Sequence, residues 1–216
     1  MDQILEKYFD YYRKLIPEEK KEFRERVDNF IFQKTFFSKG ELPTITEEMK
    51  VLVASNAVQL TFGFKEILFD HFKTILLYPD EFYSNFSQSN QKGEANPEGV
   101  LVFSWKHLAL GNLLPDKSEN IGLRVFARAL GIQNNTEGPE YDILQNFRLQ
   151  QWKQLADREF EKIKSSGKTT YTKRVVPVRE DFFPVSVECF FQEPESLKKE
   201  YLELYNALAS LLNQYP

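Results

Sequence analysis

The side chains best suited to bind a metal ion are few in this sequence. The only histidines are His71 and His107, and the only cysteine is Cys189. A zinc site built from three histidines, or from two cysteines and two histidines, is therefore impossible. A site made of both histidines and a carboxylate is conceivable, but their spacing gives it no support. Two ordinary histidines, near the surface or in the core, are the simpler interpretation.

Candidates for nucleophilic catalysis are equally sparse. Cys189 lies in the apolar stretch Val187–Phe191, which is typical of a buried structural thiol, whereas a reactive cysteine needs exposure and positive neighbours. Ser104 and His107 stand three residues apart and are the one local hint of a hydrolase. The sequence lacks the phosphate-binding loop, the dinucleotide-binding glycine motif and the G-x-S-x-G elbow.

The composition is that of a globular protein with an aromatic-rich core. Hydrophobic residues make up 42% and charged residues 28% of the 216 residues, with 20 phenylalanines and 10 tyrosines. Each buried ring removes a large apolar area from water. The net charge is -4, with acidic and basic residues mixed along the chain. This differs from the basic surface of a nucleic-acid-binding protein, so no nucleic-acid partner is expected.

The sequence also indicates a cellular location. A single cysteine excludes an internal disulfide and fits a reducing compartment. No apolar run reaches the roughly 18 residues of a membrane span, and the first residues do not resemble a signal peptide. We therefore expect a cytoplasmic protein with no membrane insertion within this chain. An anchor upstream of Met1 is left open.

Helical periodicity dominates the first third of the chain. Apolar residues recur at helical spacing from Ile4 to Leu15, and Pro17 ends that run. Proline and acidic residues favour the first turn of a helix, so a second helix is predicted to begin at Pro17 and a third at Thr46. The third ends before Gly63. The sequence thus predicts an N-terminal helical subdomain over residues 1–63.

Two short runs of β-forming residues follow. Thr74–Tyr78 and Val100–Ser104 are bounded by Pro79 and Gly99 and are predicted as strands of one small central sheet. The polar stretch Ser84–Gly99 is predicted as loop with an irregular strand.

The remaining segments are predicted as helices joined by loops. The helices are Glu119–Leu130, Ile143–Ile163 and two within Asp181–Leu212 that separate near Pro194; the loops lie around Gly138 and over Ser165–Thr172. The predicted fold class is α+β and mostly helical. Residues 64–216 form its second part, within one compact unit.

Parts of the sequence resemble a known family in their order and spacing. They are Tyr78–Phe82, Ser104–His107, Gly111, Pro115, Asn120–Leu130, Asp181–Phe191, and the C-terminal positions Pro194, Leu197, Leu202, Tyr205 and Tyr215-Pro216. Over roughly Ala54 to Pro216 the chain looks like Mlc titration factor A, a family of bacterial zinc peptidases. The resemblance implies a zincin-like metallopeptidase fold.

The zinc helix of that family reads N-V-V-L-H-E-F-A-H-x-L. Its two histidines are four residues apart and bind zinc from one face of the helix, and the glutamate serves as general base. At those three positions this sequence has Arg124, Val125 and Arg128, although the framework around them is retained. Arginine cannot bind zinc because its guanidinium stays protonated, and valine cannot accept a proton.

The other family positions are also changed. The glutamate that supplies the third zinc ligand corresponds to Asp181, and a tyrosine seven residues earlier corresponds to Arg174. The resemblance therefore implies a degenerate member, a pseudoenzyme that holds no zinc and no other cofactor and has no peptidase activity.

The resemblance further implies a binding cleft. It would lie between the helix that follows Asn120 and the helix that follows Asp181, with strand Val100–Ser104 along its border. The residues expected to line it are Ser104, Trp105, Arg124, Arg128, Asp181 and Glu188. In zincins an edge strand commonly holds an extended peptide by backbone pairing, which needs no metal. The expected partner is thus a protein or peptide, of unknown identity.

A substitute for the missing metal is also predicted. Without zinc, Asp181 and Glu188 would face an unfilled gap, and buried carboxylates need a partner. Arg124 and Arg128 are four residues apart on one side of their helix, so one of them is expected to form a salt bridge with Asp181 or Glu188.

Two alternatives remain open. The chain could be an active metallopeptidase or hydrolase with a constellation foreign to the family, for which Ser104 and His107 are the hint. It could also be a purely structural domain attached to something upstream of Met1.

Overall fold

The computed structural model describes residues 1–65, 69–114, 118–136, 144, 146–165 and 178–216. Contacts between residues divide the chain into two compact units, Met1–Ala129 and Leu130–Pro216. The predicted positions Pro115 and Arg174, the predicted loop at Gly138, and the loop Ser165–Thr172 beyond its first residue lie outside the described residues. The division predicted at Gly63 rests on secondary structure alone and stays a prediction.

Four helices precede or flank the first strand of the first unit. They are α1 (Asp2–Tyr8), α2 (Asp10–Lys14), α3 (Pro17–Phe32) and α4 (Glu47–Thr61). Helix α3 begins at the predicted proline. Helix α4 begins directly after Thr46, the predicted start, and the hydroxyl of Thr46 caps it by accepting a hydrogen bond from the backbone N–H of Met49 at 3.3 Å.

The single helix predicted up to Leu15 is wrong, because the chain breaks at Phe9. This residue is extended (φ -125°, ψ 94°) and its side chain is 3% exposed. Its ring lies 5.9 Å from that of Phe23 on α3. Burial of an aromatic ring has overridden a local helical pattern that continues on both sides.

The described residues of the first unit form six strands. They are β1 (Thr35–Ser38), β2 (Thr74–Tyr78), β3 (Phe82–Ser84), β4 (Ser89–Gln91), β5 (Gly93–Asn96) and β6 (Val100–Ser104). Strands β3 and β4 form a separate hairpin, and the other four form a sheet in the order β1-β2-β6-β5. Strands β1, β2 and β6 are parallel, whereas β5 is antiparallel to β6. The prediction that β2 and β6 share one sheet is confirmed.

Two predictions about the sheet are wrong. The N-terminal segment is not purely helical, because β1 lies within it and pairs with β2. Strand β6 cannot offer an edge to a peptide, because it pairs with β2 on one side and with β5 on the other. The edge strand on that side is β5, from the stretch predicted as mostly loop.

Helices make up the rest of the described chain. They are α5 (Trp105–Leu113), α6 (Ile121–Thr136), α7 (Asn146–Ser165), a 3₁₀ turn (Arg179–Asp181), α8 (Phe182–Gln192), α9 (Pro194–Glu200) and α10 (Leu202–Leu212). Two helices were predicted over Asp181–Leu212, but the structure has three, because the chain also bends at Tyr201 (φ -141°, ψ 60°). A mostly helical α+β structure with a small mixed sheet is confirmed. Within the described ranges no helix has the length and apolar character to span a bilayer.

An aromatic cluster fixes α6 in the first unit. The ring of Phe126 lies 5.7 Å from Phe30, 5.2 Å from Phe69 and 5.6 Å from Phe103, and all four side chains are buried. These rings come from α3, from the segment before β2, from β6 and from α6. The helix that carries Arg124, Val125 and Arg128 is therefore held against the sheet by its apolar face.

Candidate functional site

Two framework residues of the resemblance position the start of α6. The side-chain oxygen of Asn120 accepts a hydrogen bond from the backbone N–H of Leu123 at 2.9 Å, which caps the helix. Gly111 of α5 lies against this cap. A Cβ atom there would be 2.5 Å from the carbonyl oxygen of Glu119 and 2.8 Å from the Cα of Asn120. Only glycine lets α5 approach the start of α6 so closely.

Arg124 belongs to a network of charges at this end of the helix. Its Nη1 lies 3.0 Å from Oε1 of Glu119, and Nζ of Lys92 lies 3.2 Å from Oε2 of the same carboxylate. The side chain of Arg124 is 12% exposed and that of Glu119 is 29% exposed. Burial raises the pKa of Glu119, but Arg124 and Lys92 outweigh burial and hold the pKa below its usual range.

Val125 packs against the edge strand of the sheet. It is 1% exposed, and a Cβ atom built on Gly93 of β5 would lie 2.6 Å from its Cγ2 and 2.5 Å from Cγ2 of Ile121. Strand β5 can run this close to α6 only because position 93 has no side chain. Arg128 lies one turn beyond Arg124 on the same side of α6 and is partly buried.

The outer side of β5 has no backbone partner among the described residues, although Gly93 and Ala95 are both buried. The backbone N–H of Ser104 donates to the carbonyl of Lys92 at 2.8 Å, which makes these two residues a hydrogen-bonded pair of the antiparallel ladder. The ladder alternates, so the backbone N–H and C=O groups of Gly93 and Ala95 point away from β6. In the part of the chain that the structure describes, no backbone group pairs with them.

Ser104 and His107 are in contact, but the contact caps the N-terminus of α5. The Ser104 hydroxyl is 2.8 Å from Nδ1 of His107 and also accepts the backbone N–H of His107 at 3.4 Å, which caps α5. Ser104 is 0% exposed, so no substrate carbonyl can reach its Oγ. This geometry speaks against the hydrolase alternative and favours a structural cap.

Two carboxylates surround the ring of His107. Its Nδ1 lies 3.6 Å from Asp80, and its Nε2 lies 3.6 Å from Glu81. Burial and the nearby Lys92 lower the pKa of His107, and they outweigh the attraction of these two carboxylates. The imidazole is thus kept neutral at physiological pH.

The described side chains do not fit a zinc ion. Among the described residues, no group of three or more histidine, cysteine, aspartate or glutamate side chains is arranged to hold a metal. Nε2 of His71 lies 2.7 Å from the carbonyl oxygen of Pro97, and Cys189 is buried. On α6 the positions in question carry two permanently protonated guanidinium groups and an aliphatic side chain.

The six residues predicted to line a cleft fall in both units. Ser104, at the end of β6, and Trp105, the first residue of α5, belong to the first unit together with Arg124 and Arg128.

Asp181 ends the 3₁₀ turn of the second unit and is partly exposed, whereas Glu188 is a buried residue of α8. The cleft and the predicted salt bridge to these carboxylates stay predictions. Residues that sequence reasoning missed are Lys92, Gly93, Ala95 and Glu119. The one sequence signal for β5 was Gly93 within the polar stretch Ser84–Gly99.

Replacing Arg124 by methionine is expected to lower the free energy of unfolding by about 1–3 kcal/mol at neutral pH, because a partly buried carboxylate loses a cation. Glu119 has a lowered pKa in the folded protein, so its contribution is present above the ordinary value of 4.5 and is lost as pH falls below it. The difference between wild type and variant should therefore narrow in acid. Urea unfolding at neutral and acidic pH measures both effects.

The control is Lys73→Met, since Lys73 is 62% exposed and pairs with Asp70, which is 61% exposed. This change should cost less than about 1 kcal/mol at either pH. Equal unfolding free energies for wild type and Arg124→Met at neutral pH would contradict the prediction.

Comparison with known proteins gives two matches. The sequence model of the glucose-regulated metallo-peptidase family M90 matches residues 1–212. The chain is also 21% identical over 221 residues to the uncharacterized protein slr2042 of Synechocystis sp., and the alignment covers 95% of this chain and 80% of that protein. The family match extends the resemblance, which began near Ala54, to the N-terminal helices and β1. The chain therefore belongs to the M90 family of glucose-regulated metallo-peptidases, the family of Mlc titration factor A.

Proposed function

We propose that this chain is a non-catalytic member of the M90 family, with a zincin-like fold, and that it binds an extended segment of a protein partner. The observation that carries the first part is the set of side chains on α6. Where the resemblance places two zinc-binding histidines and a general base, the chain has Arg124, Arg128 and Val125. None of these can bind zinc or accept a proton at physiological pH.

The packing of these side chains supports a structural role for them. Arg124 is engaged by the Glu119 carboxylate, and Val125 fills the space under Gly93. A general base must reach a water molecule next to the substrate, whereas Val125 is 1% exposed and apolar. Helix α6 keeps the framework residues and packs beside the sheet, but it lacks the two histidines and the glutamate of the family motif.

The binding part of the proposal rests on β5. An extended peptide can add a strand to an open sheet edge, where main-chain hydrogen bonds supply affinity and side-chain contacts supply specificity. Strand β5 is the last strand of the sheet on this side and lies directly over the helix that carries the changed motif; because Gly93 and Ala95 are buried, an added strand would have to displace whatever covers them. This mode of binding requires no metal. The edge strand is β5 and not β6, which corrects the expected border of the cleft.

We expect the purified protein to hold no stoichiometric zinc and to show no peptidase activity. The reason is the loss of two ligands and of the general base. Elemental analysis should be done on protein purified without chelator and on protein incubated with zinc and then desalted. Peptidase assays with mixed peptide substrates, with and without chelator, complete the test.

A family member that carries both histidines and the glutamate serves as the positive control in both assays. One tightly held zinc ion per chain would overturn the proposal. So would peptide turnover by the pure protein that a chelator abolishes.

A further inference from the structure

The second unit contains a cavity that the proposed function does not use. Its volume is about 210 Å³, and its walls come from the C-terminal part of α6, from α7, and from the segment comprising the 3₁₀ turn and the start of α8. A dry cavity of about 150 Å³ lined by apolar side chains holds a benzene molecule, so this one has room for a ring with a short side chain.

Aromatic rings form the inner wall of this cavity. Trp152 and Phe182 stack with ring centroids 6.0 Å apart and planes at 17°, and Phe183 meets Trp152 edge-on at 5.7 Å. Trp152 is 3% exposed and Phe182 is 2% exposed. Ala156, one turn after Trp152 on α7, presents only a methyl group to the same space. Such walls favour a flat apolar ring over an aliphatic chain.

Among the described residues, the rim of the cavity carries more positive than negative side chains. These are Lys153, Arg179 and Asp157, two cations and one anion. Asp157 is already engaged by an ion pair with Arg179. Lys153 makes no ion pair with another residue of the described ranges and is exposed at the mouth. An anionic group at the mouth would therefore gain Lys153 as a partner, whereas an amine would meet the like charge of Lys153.

We propose that this cavity binds a small aromatic carboxylate. The ring lies against Trp152 and Phe182, and the carboxylate lies at the mouth beside Lys153 and Arg179. Size, wall chemistry and the sign of the charge all select this class. The inference does not depend on the proposed peptide binding, because every residue it uses belongs to the second unit.

Tryptophan fluorescence gives a direct test. The chain has two tryptophans, so Trp105→Phe leaves Trp152 as the single reporter. This variant is titrated with 3-phenylpropionate, 3-phenylpropan-1-ol and 3-phenylpropylamine, which share ring and chain length and differ in charge. We expect a saturable change of Trp152 emission, with the carboxylate bound at least about tenfold more tightly than the alcohol and the amine bound most weakly.

Variants in the same background separate the two contributions. Lys153→Met should weaken binding of the carboxylate at least about tenfold and leave binding of the alcohol unchanged. The matched control Lys199→Met removes an exposed lysine of α9 that does not line the cavity, and it should change neither. Ala156→Leu should fill the cavity and abolish binding of both probes, with thermal unfolding used to confirm that the variant is folded.

Several results would overturn the inference. They are the absence of a saturable change with all three probes, equal affinity for the three, tightest binding of the amine, and full binding by a folded Ala156→Leu variant. Because Lys153 is exposed, its replacement tests the charge requirement even if the leucine variant fails to fold.

Discussion

The variant Arg124→His/Val125→Glu/Arg128→His should gain a zinc site that the wild-type chain lacks. Restored histidines four residues apart on α6 project from one side of the helix, as two zinc ligands require. The capped start of α6 and the aromatic cluster around Phe126 hold the helix in place, so the new ligands are attached to a fixed framework. A glutamate at position 125 would be buried, since Val125 is 1% exposed and packs under Gly93, so the variant Arg124→His/Arg128→His is measured beside the triple variant and should show the same zinc response.

The expected effect of zinc on this variant is large. Free zinc at a hundredfold excess over its dissociation constant stabilises the folded state by about 2.7 kcal/mol. For a chain of this length that corresponds to a rise in Tm of about 5–10 °C. Thermal unfolding with and without zinc, together with elemental analysis, measures both the stabilisation and the stoichiometry. Each variant is compared with itself, because loss of the Arg124–Glu119 pair lowers stability in the absence of metal.

Two controls define what the result means. Wild type should show no zinc-dependent change of Tm, and Arg124→His/Val125→Glu, which keeps Arg128 and so has one histidine, should show little. A folded triple variant that does not respond to zinc would contradict the idea that these positions are a former metal site. The proposal of a non-catalytic M90 member would then lose its main support.

Ala95→Pro should weaken binding of an extended peptide at least about tenfold. The backbone N–H of Ala95 points to the outer side of β5, so proline removes a donor from that side without breaking the ladder to β6. Proline is tolerated at such positions of edge strands. Peptides selected from a random displayed library on the wild-type protein provide the ligands, and fluorescence anisotropy measures their affinity for each variant.

The opposite edge of the same sheet supplies the control. The backbone N–H of Lys39, the residue after Ser38, donates to the carbonyl oxygen of Leu77 in β2 at 2.8 Å. Successive N–H groups of a strand point to opposite sides. The N–H of Ser38 therefore points outward. Ser38→Pro removes a donor of the same kind from β1, and the selected peptides should bind it like wild type. Peptides that bind Ala95→Pro with undiminished affinity would contradict binding along β5.

Local signals in the sequence were enough for much of the fold. Pro17 and Thr46 marked helix starts, and the dense β-forming runs Thr74–Tyr78 and Val100–Ser104 marked two strands. The missed strands lack either the boundary signal or the strand-forming residues. Residues Thr35–Ser38 include three β-forming residues, but they follow a long helix with no intervening proline or glycine to mark a boundary, and Gly93–Asn96 consists of residues with low strand propensity. Both are strands because a neighbouring strand completes their hydrogen bonds, and no local pattern encodes a neighbour.

The candidate site shows the same limit. Arg124, Val125 and Arg128 were found only through the resemblance, because two arginines on a helix look like any solvated face. Glu119 lies five residues before Arg124, a separation that favours no contact within a helix. The pair forms because Glu119 precedes the cap at Asn120, where the chain turns back toward the helix. The cavity of the second unit is lined by side chains from three separate elements, so no local sequence pattern predicts it.

The N-terminal third of this protein also protects the sheet from self-association. Strand β1 covers the outer backbone of β2 from Thr74 to Leu77, and Phe30 of α3 lies 5.7 Å from Phe126 of α6. A fragment that began at residue 64 would turn β2 into a bare, apolar edge, the kind of surface on which identical chains pair and aggregate. Proteolytic cleavage between α3 and β1 could release β1 and expose the edge of β2. Strand β1 thus protects a strand that follows it in the chain.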